Sequence, residues 1–356
     1  MSGAVSMSAM PMLVIRPISS ADFPALKKIA EESGHGFTSL PVNDQRLQQK
    51  IAHSEASFAT EVEQAGQQGY LFVLEDSRSG DIVGTTGIEA AVGLETPLYH
   101  FQQNTVMHHS VELSVLNQLK TLTLCNDYTG ASEICTLFLR QSYRKGYTGR
   151  FLSKVRFLFM AEHPQRFADI VIAEMRGAAD DNGQPPFWCW LQKLFLTIDF
   201  PTADHLIGVG KKAFIAELMP RHPIYVGLLP EEAQQVIGQV HQQTKPALKM
   251  LQQEGFVHRG YVDLFDAGPT IEARLSQIHS VASSVKVPVR LVAQVEPGQM
   301  LAISNTGTQG FRASFSEHAR FDEHDGVLLI QPELADALQL SDGDLARFIV
   351  LEKGRR

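Results

Sequence analysis

The fold is decided by Ser132-Glu-Ile-Cys-Thr-Leu-Phe-Leu139, which is followed by Arg144-Lys-Gly-Tyr-Thr-Gly-Arg-Phe-Leu-Ser153. The first stretch is short and mostly apolar, as is typical of a buried strand. The second is a basic, glycine-containing loop, and the apolar residues that follow it up to Ala161 recur at helical spacing. The order is therefore a strand, a basic glycine loop and a helix.

A glycine loop at the start of a helix has physical reasons to bind phosphate. Gly146 and Gly149 allow close approach to the backbone, the first helical amides lack partners, and the helix dipole adds positive potential. Arg144, Lys145 and Arg150 add full charges. A solvated basic turn would have the same composition, so the loop alone leaves both interpretations open. A dinucleotide-binding fold is disfavoured because no GxGxxG is present.

The residues before this segment predict a strand, a helix and a hairpin. A β-rich run at 12–17 precedes a cap-like cluster, and Phe23, Leu26 and Ile29 then share one helical face. Two β-rich runs, 70–75 and 82–88, flank turn residues and predict an antiparallel hairpin. The polar stretch at 95–130 shows no clear periodicity, so no element is assigned to it.

The residues after the segment predict alternating strands and helices, followed by a region of short β runs. Strands are expected at 168–175, 212–219 and 256–265. Helices are expected at 186–195, 230–240 and 245–254. Short β runs follow at 285–295, 300–303, 326–330 and 340–351. The sequence therefore predicts a disordered extension at 1–11, a core at 12–277 and a small β-rich C-terminal subdomain at 278–356.

Composition indicates a soluble globular protein. Apolar residues make up 44% of the 356 residues, charged residues 20%, and the net charge is −8. The acidic balance disfavours nucleic acid as a partner, and no apolar run approaches the roughly 18 residues that cross a bilayer. Residues 1–11 lack the basic start of a signal peptide, so a cytoplasmic protein without membrane contact is expected. The three cysteines form no CxxC pair, and neither a disulfide framework nor a metal site is expected.

Taken together, the element order and the loop resemble the acyl-CoA N-acyltransferase superfamily of GNAT-like folds. The resemblance implies an α+β fold in which a mixed, mostly antiparallel sheet is flanked by helices. In that superfamily the pyrophosphate of coenzyme A is held by an Arg or Gln, then two residues, a Gly, one residue, and a Gly or Ala. When this chain is aligned on Arg144 and Gly149, Tyr147 takes the middle glycine position and Gly146 lies one place early.

A closer resemblance, to the arginine N-succinyltransferase family, covers nearly the whole chain from Met12 onward. In that family the shifted glycine pattern of the loop also occurs. The segments that carry the resemblance are Thr38-Ser-Leu-Pro41, Phe72-Val-Leu-Glu-Asp76, Asn126-Asp127, Thr129-Gly130, Ser132-Glu-Ile-Cys-Thr-Leu137, Ala173-Glu-Met-Arg-Gly177, Pro186-Phe-Trp188, Ala213-Phe-Ile-Ala-Glu-Leu-Met-Pro220, His222-Pro-Ile-Tyr225, Ile237-Gly-Gln-Val-His241 and Asp263-Leu-Phe-Asp-Ala-Gly-Pro269.

The resemblance assigns two positions to the reaction. His241 matches the histidine taken as the catalytic proton donor of the family, and an imidazole with an ordinary pKa near 6.5 suits that task. By residue pattern alone, His241 would be a surface or capping residue. Leu137 matches the strand position that contacts succinyl-CoA, and its backbone groups are suited to pair with the amides of the pantetheine arm. With Arg144, Gly146 and Gly149, Leu137 forms the expected coenzyme A site.

Carboxylates near the predicted strands are candidates for a cationic acceptor. A buried guanidinium presents a planar fork of donors and needs a facing carboxylate. The candidates are Glu174, Glu217, Asp263 and Glu272. For each of them taken singly, the residue pattern favours a solvated charge at the end of a strand.

The resemblance implies transfer of a succinyl group from succinyl-CoA to the α-amine of L-arginine, which gives coenzyme A and N2-succinylarginine in arginine catabolism. Succinyl-CoA would be a co-substrate, and no prosthetic group or metal is implied. The alternatives are transfer to ornithine or another amino acid, and a non-catalytic protein that binds coenzyme A or arginine. A homo-oligomer or a paralogous subunit is a possible partner.

Overall fold

The structure, a computed structural model, describes residues 12–33, 39–180, 183–196, 198, 202, 206 and 217–352. The extension expected at 1–11 lies outside the described residues, as does most of the strand expected at 212–219. Glu217 and Leu218, near the end of that expected strand, have helical backbone rather than an extended one.

The described residues form one mixed sheet of sixteen strands with helices on its faces. The strands are β1 (Leu13–Pro17), β2 (Gly69–Asp76), β3 (Asp81–Glu89), β4 (His100–Ser110), β5 (Val115–Cys125), β6 (Ser132–Leu139), β7 (Ile170–Glu174), β8 (Ile224–Tyr225), β9 (Val257–Val262), β10 (Pro269–Arg274), β11 (Val285–Leu291), β12 (Leu301–Asn305), β13 (Ala313–Ser316), β14 (Ala319–Asp322), β15 (Val327–Ile330) and β16 (Leu345–Val350). The helices are α1 (Phe23–Ser33), α2 (Asp44–Ala59), α3 (Thr148–Glu162), α4 (Pro186–Leu191), α5 (Glu231–Val236), α6 (Lys245–Gln253), α7 (His279–Ala282) and α8 (Pro332–Leu338).

The strand order across the sheet is β14-β15-β11-β16-β12-β13-β1-β2-β3-β6-β7-β10-β9-β4-β5-β8. Within the described part of the chain, only the β6–β7 and β11–β15 pairs are parallel. The expected α+β fold with a mostly antiparallel mixed sheet is therefore confirmed. The C-terminal strands are continuous with the rest, because β13 pairs with β1 at Ala313 and Ile15.

Alternation along β2 explains why both faces of the sheet carry helices. Tyr70 and Phe72 point into a core that α3 covers, whereas Leu71 and Val73 point into a core under α1 and α2. The predicted hairpin of β2 and β3 is present and antiparallel. Gly84 in β3 is needed for close packing, since a Cβ there would lie 2.8 Å from the carbonyl oxygen of Phe138.

Strands β6 and β7 diverge soon after they meet. They pair in parallel at only two positions, Ser132 opposite Val171 and Glu133 opposite Ile172. From Ile134 onward β6 still pairs with β3, but no strand of the described residues covers its other edge. An opening therefore lies between β6 and the end of β7, and the start of α3 lies at the β6 end of it.

The stretch 95–130, to which the sequence assigned no element, contains a long hairpin of β4 and β5. Its outer half is exposed, and apolar residues such as Val106, Met107 and Leu116 lie among polar ones on both faces. A ribbon with no buried face has no alternation of apolar and polar residues, so the periodicity that identifies strands is missing.

Two further elements differ from the sequence expectation. The helix expected at 230–240 ends at Val236, because Ile237 is extended and Gly238 has a φ of +73°. Helix α8 interrupts the β-rich tail and packs on its core, and Pro332 in its first turn is the start signal that marks it.

Candidate active site

The loop before α3 presents an uncapped helix start. Gly146 takes a φ of +57°, which turns the chain, and no side chain caps the helix at Tyr147. The first-turn amides of an α-helix have no acceptor within the helix, so those of Gly149 and Arg150 are available to an anion. Gly149 leaves room for one, because a Cβ there would meet only Leu139 Cδ2, at 3.9 Å. The loop therefore ends in a helix start whose first amides are uncapped, and the binding of phosphate there stays a prediction.

Arg144 and Leu137 lie at the same end of β6 as this loop. Arg144 is exposed, and its Nε donates to the Leu139 carbonyl at 2.8 Å, which holds the cation beside the strand end. Leu137 is half-buried and packs against the core under α3. The four residues expected to bind coenzyme A are thus neighbours along one edge of the opening.

A bulge at Thr136 changes the direction of β6 along the edge of the opening. Thr136 has a φ of +54°, and the β3–β6 register shifts between Thr85 and Gly87. Thr85 Oγ1 donates to the Thr136 carbonyl at 3.0 Å and holds the bulge in place. The bulge was not predicted from the sequence, although a glycine inside a strand, here Gly87, is a known signal for one.

His241 lies at the opposite side of the opening, beyond the end of β7. Its backbone N–H donates to the Arg176 carbonyl at 2.9 Å, and Val240 forms a bridge with Gly177. Its Nδ1 accepts a hydrogen bond from the Gln243 N–H at 3.2 Å. Partial burial and the nearby Arg176 guanidinium lower the pKa of His241. The imidazole is therefore neutral at pH 7, with Nε2 carrying the proton.

The four candidate carboxylates do not form one group. Glu174, at the end of β7, is near Asp263, and its Oε1 lies 2.8 Å from Nε2 of the fully buried His100. Glu272 instead accepts hydrogen bonds from the Tyr128 hydroxyl at 2.5 Å and from Arg259 Nε at 2.9 Å. Glu217 is exposed on a helical turn.

Asp263 and Asp266 form a half-buried acidic pair that supports the His241 backbone. Asp266 accepts hydrogen bonds from the Gly177 N–H at 2.6 Å and from the Gly268 N–H at 2.7 Å. Both glycines are required here, since a Cβ at Gly177 would lie 2.5 Å from the Asp266 carbonyl oxygen and a Cβ at Gly268 would lie 2.1 Å from the Met175 carbonyl oxygen. Burial and the neighbouring Asp263 raise the pKa of Asp266 to about 8. Asp263 itself accepts from the Phe265 and Asp266 amides, so its contacts are those of a turn.

A second charged group, which sequence analysis did not single out, lies on the α2 face beside the bulge. Lys50 pairs with Glu89 at 2.9 Å, and Glu133 and Cys135 interact electrostatically with the ammonium. Burial raises the pKa of the Cys135 thiol to about 12, so it remains protonated and unreactive at neutral pH.

No group of three or more His, Cys, Asp or Glu residues is placed to hold a metal ion within the described ranges. No helix in the described part of the chain is both long and apolar enough to cross a membrane.

The site combines two parallel strands that diverge, a bulge on the first strand and an uncapped helix start after it. This combination defines an acyl-CoA N-acyltransferase of the GNAT-like type. The family described as arginine N-succinyltransferase beta subunit matches residues 13–280, and the C-terminal domain described for that subunit matches 285–349. The chain therefore belongs to the arginine N-succinyltransferase family.

Individual relatives agree with this assignment. An arginine N-succinyltransferase of Escherichia coli (strain 55989 / EAEC) is 45% identical over 344 residues, which is 96% of this chain and 98% of the relative. One from Salmonella schwarzengrund (strain CVM19633) is 46% identical over 342 residues, with the same coverage. The solved structure of arginine/ornithine succinyltransferase subunit AI from Pseudomonas aeruginosa has a TM-score of 0.88 at 37% identity, covering 96% of this chain and 100% of that chain.

The Asp266 environment makes stability depend on pH. The folded-state pKa is about 8, whereas the unfolded value is about 3.9. Between these values the folded chain holds a proton that the unfolded chain has released, so the free energy of unfolding falls as pH rises. The stabilisation is complete below about pH 4 and is lost above about pH 8, with a slope of up to about 1.4 kcal/mol per pH unit.

Urea unfolding at pH 5 to 8 checks this expectation. Asp266→Asn carries no titrating group at this position, so its free energy of unfolding should fall less steeply with pH than that of the parent. Asp325→Asn is the control, because Arg290 lowers the pKa of the exposed Asp325 and this carboxylate stays ionised throughout the range. Equal slopes for the parent and Asp266→Asn would contradict the assignment.

Proposed function

We propose that this chain transfers a succinyl group from succinyl-CoA to the α-amine of L-arginine and releases coenzyme A and N2-succinylarginine. The observation that carries the proposal is the opening between β6 and β7, with an anion-binding helix start at one side and His241 at the other, in a chain of this family. Ornithine is the second candidate acceptor, because the Pseudomonas relative is described as acting on arginine and ornithine.

Coenzyme A is expected to bind along the β6 edge of the opening. Its pyrophosphate fits the amides at the start of α3, where the Arg144 guanidinium adds a charge-assisted contact. The pantetheine arm carries amides that suit the uncovered backbone edge near Leu137, as an added strand would. The thioester then lies near the Thr136 bulge, where backbone N–H groups can stabilise a developing oxyanion.

Of the four candidates, we assign the acceptor cation to Glu174. This carboxylate is exposed at the end of β7, close to the segment that carries His241. Glu272 is held by Tyr128 and Arg259, Asp263 is held by its own turn, and Glu217 lies on an exposed helical turn. Glu174 also lies 2.8 Å from His100 Nε2, and what favours it is its position at the end of β7, next to the contact between Arg176 and His241.

The reaction needs no covalent enzyme intermediate. The neutral α-amine attacks the thioester carbonyl, the C–N bond forms, and the C–S bond breaks as the tetrahedral intermediate collapses. At pH 7 only about a tenth of an amine with a pKa near 8 is neutral, so a proton must leave before attack. His241 Nε2–H is suited to donate to the departing thiolate or to hold the water that accepts the proton of the amine.

An acceptor screen tests the proposed reaction. With succinyl-CoA, the parent should release free thiol in the presence of arginine or ornithine and give a succinylated amino acid by mass spectrometry. Glu174→Gln should raise the KM for arginine at least tenfold and leave that for succinyl-CoA nearly unchanged, because an unpaired cation is costly to bury. Glu323→Gln, an exposed carboxylate in the C-terminal region, is the control. Absence of thiol release with every amino acid would contradict the proposal.

His241→Ala tests the proton carrier. The variant should lower kcat by about 10²- to 10⁴-fold, the usual contribution of a positioned acid or base, with small changes in both KM values. His324→Ala removes a histidine whose side chain is 95% exposed and should match the parent. A kcat near that of the parent in His241→Ala would contradict the proton-transfer role and leave His241 as a turn residue.

A further inference from the structure

Arg156 in α3 is a buried arginine that lacks an acidic partner. The residue is only 2% exposed. Its Nε donates to the Ser153 carbonyl and its Nη2 to Ser153 Oγ, both at 3.0 Å. Among the described residues, no carboxylate lies within ion-pair distance of its guanidinium. The hydrogen bonds of this guanidinium are therefore made to neutral groups of its own helix.

This arrangement is costly for the free protein. A buried charge is normally paired, because an uncompensated one loses hydration that nothing in the protein replaces. Burial lowers the pKa of Arg156 to about 10, which still leaves the guanidinium charged at pH 7. The nearby buried Glu254 does not neutralise it directly, because that carboxylate lies 2.6 Å from Lys154 Nζ and accepts the Ser280 N–H.

Arg156 lies two turns into α3, on the same face of the helix as Gly149. Gly149 faces β6, since its nearest neighbour is Leu139. Arg156 is seven residues further on, two helical turns and about 10 Å along the axis, so it shares that face. Cys135 acts electrostatically on the guanidinium, and it lies on the part of β6 whose second edge is uncovered.

We propose that Arg156 binds the terminal carboxylate of the succinyl group and selects succinyl-CoA over acyl-CoA donors that lack this carboxylate. The inference rests on the proposed function. With the pyrophosphate at the helix start and the thioester near Thr136, the acyl chain extends toward the closed end of the opening. The planar guanidinium fork matches a carboxylate, and the acyl donor brings the counter-charge that the protein does not provide.

Donor specificity tests the proposal. The ratio of kcat/KM for succinyl-CoA to that for acetyl-CoA should fall at least 100-fold in Arg156→Met, with the acetyl-CoA value changed less than about threefold. Arg166→Met is the matched control, because Arg166 is also buried but is held by the carbonyls of Ser57 and Thr60 and by the Tyr70 hydroxyl. Its ratio should equal that of the parent.

The outcomes separate this inference from the proposed function. A parent that transfers succinyl groups, with an Arg156→Met variant that loses both donors equally, would overturn the role of Arg156 and leave the reaction standing. A parent that transfers no succinyl group would overturn the reaction itself. If Arg156→Met does not fold, Arg156→Lys replaces it, since it keeps the charge without the fork. Its donor ratio should fall at least tenfold, and an unchanged ratio would overturn the proposal.

Discussion

The short parallel contact between β6 and β7 is the constraint on which the rest of the structure depends. Two positions pair, Ser132 with Val171 and Glu133 with Ile172, and the strands then diverge. Longer pairing would close the sheet and leave no uncovered edge. Because α3 connects these two strands, the same divergence places the helix start at the β6 end of the opening. One local feature of the sheet therefore creates both the donor-binding edge and its anion site.

Buried polar contacts keep the two sides of this opening in place. On the β6 side, the Thr136 bulge is held by the Thr85 hydroxyl. On the β7 side, the Asp266 carboxylate accepts hydrogen bonds from the backbone N–H groups of Gly177 and Gly268. The backbone of Gly177 in turn pairs with Val240. Each support is buried or partly buried, where a hydrogen bond is worth more than in water and a missing partner is costly. The Ala173–Gly177 and Asp263–Pro269 segments, on which the family resemblance rests, thus include the glycines and the carboxylate of this support.

Local features of the fold could be predicted from the sequence, and the long-range ones could not. The strand at Ser132–Leu139, the glycine loop and the helix at Thr148–Glu162 carry strong periodicity and turn signals. The pairing of Val240 with Gly177 joins segments more than sixty residues apart and has no signature in either one. Similarly, nothing in the helical pattern around Arg156 marks it as a buried charge without a partner. His241 and the coenzyme A residues, which came from the family resemblance, lie on opposite sides of the opening. Only the coordinates show that Glu174 lies beside the His241 segment and Glu272 beside Tyr128 and Arg259.

The central claim is that acyl-CoA binds along the uncovered edge of β6, and amide hydrogen exchange with and without coenzyme A tests it most directly. Bound coenzyme A should slow exchange at residues 134–139 and in the first turn of α3 near Gly149, where backbone groups gain partners. Exchange in the distant strands β14 and β15 should not change. Protection that is absent from β6, or that appears only in the C-terminal strands, would contradict the account.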